Sequence, residues 1–238
     1  MSNASQASSN DIYVIDAPQQ ASLSIAGTTE RFPVHRVYCV GRNYAAHAVE
    51  MGHDPDKELP FFFQKNPDNL VSDASEFPYP KLSNDVHHEI ELLVALKKGG
   101  DDISVDEALD CVYGYGVSLD MTRRDLQGEM KKLGRPWEIG KAFEMSAPAG
   151  PIIPVEQCGH IDSGDIWLKV NDEVRQTGDV NQMIWKTAEM ISILSTLFTL
   201  QPGDIIQTGT PSGVGPVQRG DKMHGHVAGV GDLHVTVT

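Results

Sequence analysis

Apolar residues recur along this chain mostly at a spacing of two, the period of a strand. His35–Val40, Phe61–Phe63, HHEIELLVAL, Val112–Leu119, Ile166–Val170 and Ile205–Thr208 read as strands, and Gly220–Thr238 alternates in strands separated by glycines. Ile12–Ile25 adds short β-prone pieces with Ala-Pro between them, which suit a small N-terminal hairpin; NDEVRQTGD suits another hairpin followed by a loop. Helical spacing is rarer. It is strongest in Thr187–Leu200, where Met190, Ile191, Leu194, Leu197 and Phe198 recur before the turn Pro202-Gly203-Asp204. Val105–Leu109 reads as a short helix. Thr122 offers an N-cap with Asp125 three residues on, a capping-box start for a helix that runs to about Leu133 and stops at Gly134. GRNYAAHAVEM begins as a loop and turns helical up to Gly52 and Pro55, while Pro67 and Asn69 mark a turn. Many short strands with few helices predict a β-dominated α+β domain, not a doubly wound sheet.

The length of 238 residues suits one large domain, and residues 1–34 read as an N-terminal tail with a short β segment ahead of a main domain at 35–238. A hydrophobic share of 40% supports a real core. The net charge of −14 changes the functional picture, because it disfavours nucleic acid and anionic membranes as partners. It also creates a tension: an anionic substrate would be repelled unless the site gathers a metal and the scarce Lys and Arg residues locally. Cys39, Cys111 and Cys158 are widely spaced and lack a CxxC pair, so they read as buried thiols in a reducing compartment. No apolar run reaches membrane-spanning length and residues 1–10 are too polar for a signal peptide, so a cytoplasmic location is expected.

Three acids carry the strongest chemical signal. Glu89 and Glu91 point to one face of their strand, and Ile90, Leu92 and Val94 to the other; Leu93 and Ala95 follow on the glutamates' own side. Two such carboxylates lie roughly 7 Å apart at the backbone. At an effective dielectric near 20 they repel by on the order of 2 kcal/mol. Asp120, closing YGYGVSLD, adds a third acid at the end of another strand. Three oxygen ligands without a nearby cysteine suit Mg²⁺, Mn²⁺ or Ca²⁺ better than zinc. A solvated edge strand with two surface glutamates gives the same spacing.

Other constellations are each ambiguous alone. His47 and Glu50 share a helix face, so the carboxylate could orient the imidazole as a general base, or the pair could lie on the surface. Arg124, Asp125 and Gln127 occupy the first turns after Asp120, where a helix start favours an anion; an ordinary charged face fits equally. Lys141, flanked by Trp137, Ile139 and Phe143, suits a desolvated lysine of lowered pKa or a snorkelling surface one. TGTPSGVGP could offer N–H and hydroxyl donors, including that of Thr210, to a carboxylate, or be plain turn. It is not a Walker A loop, and no G-x-S-x-G elbow appears.

Taken in order, GRNYAAHAVEM, FFFQKNPDNL, HHEIELLVAL, LDMTRRDLQ, RPWEIGKAF and PGDIIQTGTPSGVGP resemble the fumarylacetoacetate hydrolase family over roughly residues 36–238. The resemblance implies that family's mixed β-sandwich roll, a homodimer, and one Mg²⁺ or Mn²⁺ per subunit. It implies Glu89, Glu91 and Asp120 as metal ligands, His47 and Glu50 as the pair on a mobile lid, and Lys141 as the active-site lysine. Arg124, Gln127 and Thr210 match positions that hold a pyruvate end, and Lys65 matches a lysine beside the pocket. Asn66 stands where proline is expected, which puts the local loop geometry in question. Flanking residues look most like the fumarylpyruvate hydrolases of gentisate degradation, so hydrolysis of a 3-acylpyruvate is implied, fumarylpyruvate giving fumarate and pyruvate. Lys65, Arg42 and Arg123 are candidates for the substrate's second carboxylate. Acylpyruvase, oxaloacetate decarboxylase or dienedioate isomerase chemistry on the same scaffold is the alternative, and a non-catalytic metal-stapled dimer a more distant one.

Overall fold

In the computed structural model, which describes residues 13–45, 59–73 and 75–238, the alternating segments pair into curled, mixed sheets. The largest runs, edge to edge, Phe61–Lys65, Val37–Gly41, Ile205–Gln207, Ile90–Leu96, Val112–Leu119, Ala147–Ala149 and Leu70–Ser72, with Ile153–Pro154 also paired to Val112–Leu119. Ile205–Gln207 is parallel to Val37–Gly41 and antiparallel to Ile90–Leu96, so the sheet is mixed at its centre. A second sheet orders Glu173–Asp179, Asp165–Val170, Lys222–Val227, Gly231–Val237 and Glu76–Phe77. A smaller one sets Val86–His88 between Thr122–Arg123 and Gly215–Val217. The β-dominated α+β class expected from the pattern is the observed fold.

The strand Ile90–Leu96 shows how the layers form. It is buried along its whole length, which rules out the solvated edge strand. Ile90, Leu92, Val94 and Leu96 enter the main core with Ile166, Leu168, Met223 and Val235 of the second sheet. Each such aliphatic side chain contributes about 2 kcal/mol by burial. Leu93 and Ala95, on the glutamates' side, enter a second core with Leu23, Phe32 and Val34. The two sheets approach closely at Gly225, where a Cβ would sit 2.5 Å from Ile90 Cδ1.

Several elements differ from the sequence expectation. The N-terminal hairpin joins Ser22–Ser24 to Arg31–Pro33; the second strand carries only one core residue, Phe32, and so leaves no alternating pattern to read. Thr122 is not a helix cap. It pairs with His87 in the small sheet and its hydroxyl donates to the Asp120 carbonyl at 3.0 Å. Arg123 takes the N-cap position instead, and the helix spans Arg124–Leu133 with Gly134 as left-handed C-cap, φ 61°. The long helix covers Thr187–Leu197 and ends three residues before Leu200, because Phe198 turns extended and packs its ring 5.3 Å from Tyr38. The NDEVRQTGD hairpin is present, turning at Asn171 and Asp172 with φ of 51° and 67°. Cys39 and Cys111 are buried and Cys158 half-buried, all unpaired. Among the described residues no helix is long and apolar enough to cross a membrane.

Candidate active site

Strand register brings the acids together. Ile90 lies opposite Leu119 in the antiparallel ladder, and Asp120 N–H donates to the Glu89 carbonyl at 2.9 Å. Glu89, at the break between Val86–His88 and Ile90–Leu96, thereby faces Asp120, with Glu91 one pleat further on. Carboxylate oxygens of Glu89, Glu91 and Asp120 lie within 4.8 Å of one another, and all of these residues are buried. At such separations each ionised pair repels by about 3 kcal/mol at an effective dielectric of ~20. Burial, reinforced by Asp120 and Glu89, pushes the Glu91 carboxyl well above its ordinary range. Gly209 N–H, donating to Glu91 Oε2 at 2.9 Å, opposes that shift. Gly209 is at φ +94°, and a Cβ there would meet Asn43 Cβ at 2.8 Å, so a side chain would displace the donor from this carboxylate.

Cations surround the acids. Lys141 Nζ lies 2.9 Å from Glu89 Oε2 and 2.6 Å from Asp120 Oδ2. Arg124 Nη2 pairs with Glu89 Oε1 at 2.5 Å, and its Nη1 donates to Gln127 Oε1 at 2.8 Å. Lys65 Nζ stands 2.9 Å from Asp120 Oδ1 and donates to Ser146 Oγ at 2.9 Å and to the main-chain oxygens of Met121 and Lys141. Neither reading of Lys141 holds: it is buried, not a snorkelling surface lysine, and its pKa is not lowered. Burial does disfavour its ammonium, but Asp120 and Glu89 outweigh that and raise the pKa above the ordinary value.

The donor set is all oxygen, anionic and preassembled. Among the described residues, Asp120 Oδ1 accepts no well-aligned hydrogen bond despite its proximity to Lys65. Such a set fits a hard divalent cation. Glu89, Glu91 and Asp120 are the residues that could hold it.

Glu89 and Glu91, with Lys141, line a cavity, and Asp120 lies just behind them. Arg124, Gln127 and Lys131, at helical spacings of three and four, line that cavity together with Phe61, Trp137 and Thr210. The Thr210 hydroxyl is oriented by Gln176, a fully buried residue that sequence reasoning missed. Gln176 Nε2 donates to Thr210 Oγ at 2.7 Å and to the Pro211 carbonyl at 2.8 Å. Its Oε1 accepts from Ile90 N–H at 3.1 Å, so backbone groups at both ends fix the amide orientation. His88 Nδ1, 2.9 Å away, must therefore carry its proton toward Oε1. Burial first of all pushes the His88 pKa down to about 4, leaving it neutral. Thr210, already an acceptor, keeps its own O–H to donate into the cavity. Nothing in NDEVRQTGD marks Gln176, since it is the only buried residue of an otherwise exposed or half-buried strand.

The structure thus gathers Glu89, Glu91, Asp120, Lys141, Lys65, Arg124, Gln127 and Thr210 around one place. Lys65 stands behind Asp120, outside the cavity lining. Arg123 lines a different depression beside Pro78 and Glu144, its guanidinium 4.3 Å from the Phe143 ring centre. His47 and Glu50 lie outside the described residues, as does most of GRNYAAHAVEM. Asn66 adopts φ −72° and ψ 149°, a backbone that proline would also take, and its N–H donates to Asn69 Oδ1 at 2.9 Å. The departure from proline therefore adds a hydrogen bond and leaves the loop path unchanged.

The family model described as "Fumarylacetoacetate (FAA) hydrolase C-terminal" matches residues 36–238. The chain belongs to the fumarylacetoacetate hydrolase family. A crystal structure of this family, fumarylpyruvate hydrolase from Pseudomonas aeruginosa in complex with Mn²⁺ and pyruvate, is 52% identical and superposes with a TM-score of 0.94, covering 95% of this chain and 99% of that one. A fumarylpyruvate hydrolase from a Ralstonia species is 42% identical over 79% of this chain and 98% of its own length. A mitochondrial oxaloacetate tautomerase of Oryza sativa subsp. japonica is 40% identical over 85% of this chain and 90% of its own. Family and relatives together support a hydrolase acting on carbon–carbon bonds.

Proposed function

We propose that the chain hydrolyses a 3-acylpyruvate, fumarylpyruvate above all, to fumarate and pyruvate, with Mg²⁺ or Mn²⁺ held by Glu89, Glu91 and Asp120. The observation that carries this reading is the preassembled acid cluster bridged by Lys141 at the foot of a cationic cavity. When bound, the divalent ion would supply Lewis-acid stabilisation of charge on the keto-acid oxygens.

Arg124, Gln127 and Thr210 would hold the pyruvate end, through a guanidinium, an amide and a free hydroxyl. Arg42, Arg124, Lys131 and Lys141 in the same lining answer the sequence-level tension, since they gather cations at the cavity in a chain of net charge −14. His47, oriented by Glu50, would take a proton from water as its oxygen bonds to the distal carbonyl carbon. The adjacent carbon–carbon bond then breaks, its electron pair leaving on the methylene carbon of pyruvate. Lys141, held as an ammonium by Asp120 and Glu89, is placed to deliver the proton to that carbon. A homodimer accompanies this reading, and light scattering tests it.

A second reading, oxaloacetate as substrate, is supported by the tautomerase relative. Following loss of enol absorbance with Mg²⁺ or Mn²⁺ separates the two. Rapid, EDTA-sensitive cleavage of fumarylpyruvate over oxaloacetate and acetylpyruvate is expected. Turnover of oxaloacetate alone would overturn the assignment.

A further inference from the structure

The cavity has a second end, and one residue there is unaccounted for. Lys131 lies seven residues after Arg124 on the same helix face, a rise of about 10 Å. Helical side chains lean toward the N-terminus, so its ammonium reaches back over the Gln127 turn. It is half-buried, whereas its neighbour Lys132 is exposed. Its Nζ sits 4.7 Å from the Trp137 ring centre. Trp137 is itself fixed edge-on to Phe61 at 5.2 Å and against Phe63 at 5.8 Å. No hydrogen bond or ion pair engages the Lys131 ammonium among the described residues. A half-desolvated cation aimed into a cavity without a counter-ion is a ready anion site.

The other basic residues near the cavity are committed elsewhere. Lys65 is spent on Asp120, Ser146 and carbonyl oxygens, and Lys141 on Glu89 and Asp120. Arg123 faces away. Arg42 lines the cavity over the Phe61 ring at 5.2 Å and already has a partner.

We infer that Lys131 is the specificity-determining residue of the site: seated on Trp137, its ammonium binds the distal carboxylate of a diacid acylpyruvate, so that diacids are selected over monoacids. This rests on the acylpyruvate reading above. The dimensions agree, since a seven-carbon diacid spans roughly 8 Å between its carboxyl carbons from standard bond lengths. That span matches the separation between the helix turn carrying Arg124 and the turn carrying Lys131. Phe61 and Trp137 would flank the unsaturated acyl segment and keep water from it.

The test compares wild type, Lys131→Met and Lys131→Arg, each metal-loaded, on fumarylpyruvate and acetylpyruvate. Loss of a charge-assisted contact is expected to raise KM for fumarylpyruvate by about 10- to 100-fold in Lys131→Met. Acetylpyruvate, which has no distal carboxylate, should keep its kcat/KM within about twofold. Lys131→Arg should restore most of the loss. Equal losses on both substrates, or no loss on fumarylpyruvate, would overturn the inference. Should wild type turn over neither compound, the acylpyruvate reading fails. Titration calorimetry of the two compounds then decides the lysine alone: weaker binding of only the diacid by Lys131→Met supports it, and unchanged binding refutes it.

Discussion

The two ends of the cavity solve opposite electrostatic problems. At the acid end, Lys65, Lys141 and Arg124 are each locked onto a carboxylate, and most of the groups involved are buried. At the far end the Lys131 ammonium rests on an aromatic ring with no ion pair among the described residues. The first arrangement is closed and can hold a cation only by displacing what neutralises it. The second is open and waits for an anion. On the function proposed above, the difference separates a reaction centre, whose parts must be rigid, from a recognition site, whose partner is the ligand.

Breaking the acid end should have the largest effect. Glu91→Ala removes a carboxylate from the cluster, and metal analysis after gel filtration should find occupancy reduced to background. Turnover should fall by about 10³-fold, in line with the several kcal/mol that a bound ion supplies. A fully active, metal-replete variant would remove Glu91 from the ligand set. Lys141→Met comes next. Loss of a proton donor should lower kcat by about 10²- to 10⁴-fold with metal retained. Without metal, the variant leaves Glu89 only to Arg124 and Asp120 only to Lys65, with no cation bridging the two carboxylates, a cost of about 3–5 kcal/mol for breaking a buried pair. Adding Mn²⁺ should therefore raise the Tm of Lys141→Met by more than it raises that of wild type; an equal rise would show that the lysine does not neutralise the cluster.

The smallest effect sharpens the contrast at the far end. Burial above all, then the charges of Arg124, Arg42 and Lys141, pushes the Lys131 pKa down to about 8, with Glu89 opposing. The ammonium is charged below that pH and is lost as pH rises through it. The kcat/KM ratio of fumarylpyruvate to acetylpyruvate should thus be constant below about pH 7 and fall by roughly tenfold in total above pH 8. A ratio that does not change with pH would place the diacid's contact elsewhere.

The acid end was legible in the sequence because its parts obey the shortest period there is. Glu89 immediately precedes the strand that carries Glu91 two residues on, Asp120 closes the next, and pairing those two strands suffices to bring them together. Strand alternation also showed that Leu93 and Ala95 shared the glutamates' side, but not that Leu23 and Phe32 would cover it. Gln176 was illegible for a different reason. Its burial depends on the Thr210 loop and the Ile90 strand meeting it from separate parts of the chain. Lys131 could have been found from helical spacing, since Arg124, Gln127 and Lys131 recur at three and four. The misplaced cap at Thr122 hid nothing there, because the error fell at the opposite end of the helix. It arose because a strand pairing with His87 claimed the threonine.

The glycine cap of the Arg124–Leu133 helix acts as the end stop of a ruler. Gly134 turns left-handed and its N–H returns to the carbonyls of Lys131 and Met130, so the cavity-facing side gains no further turn. With a rise of about 1.5 Å per residue, a distal anchor for a longer diacid would have to sit beyond that glycine. On the acylpyruvate reading, chain length in the acyl group is bounded by where a helix ends, independently of the chemistry at its start.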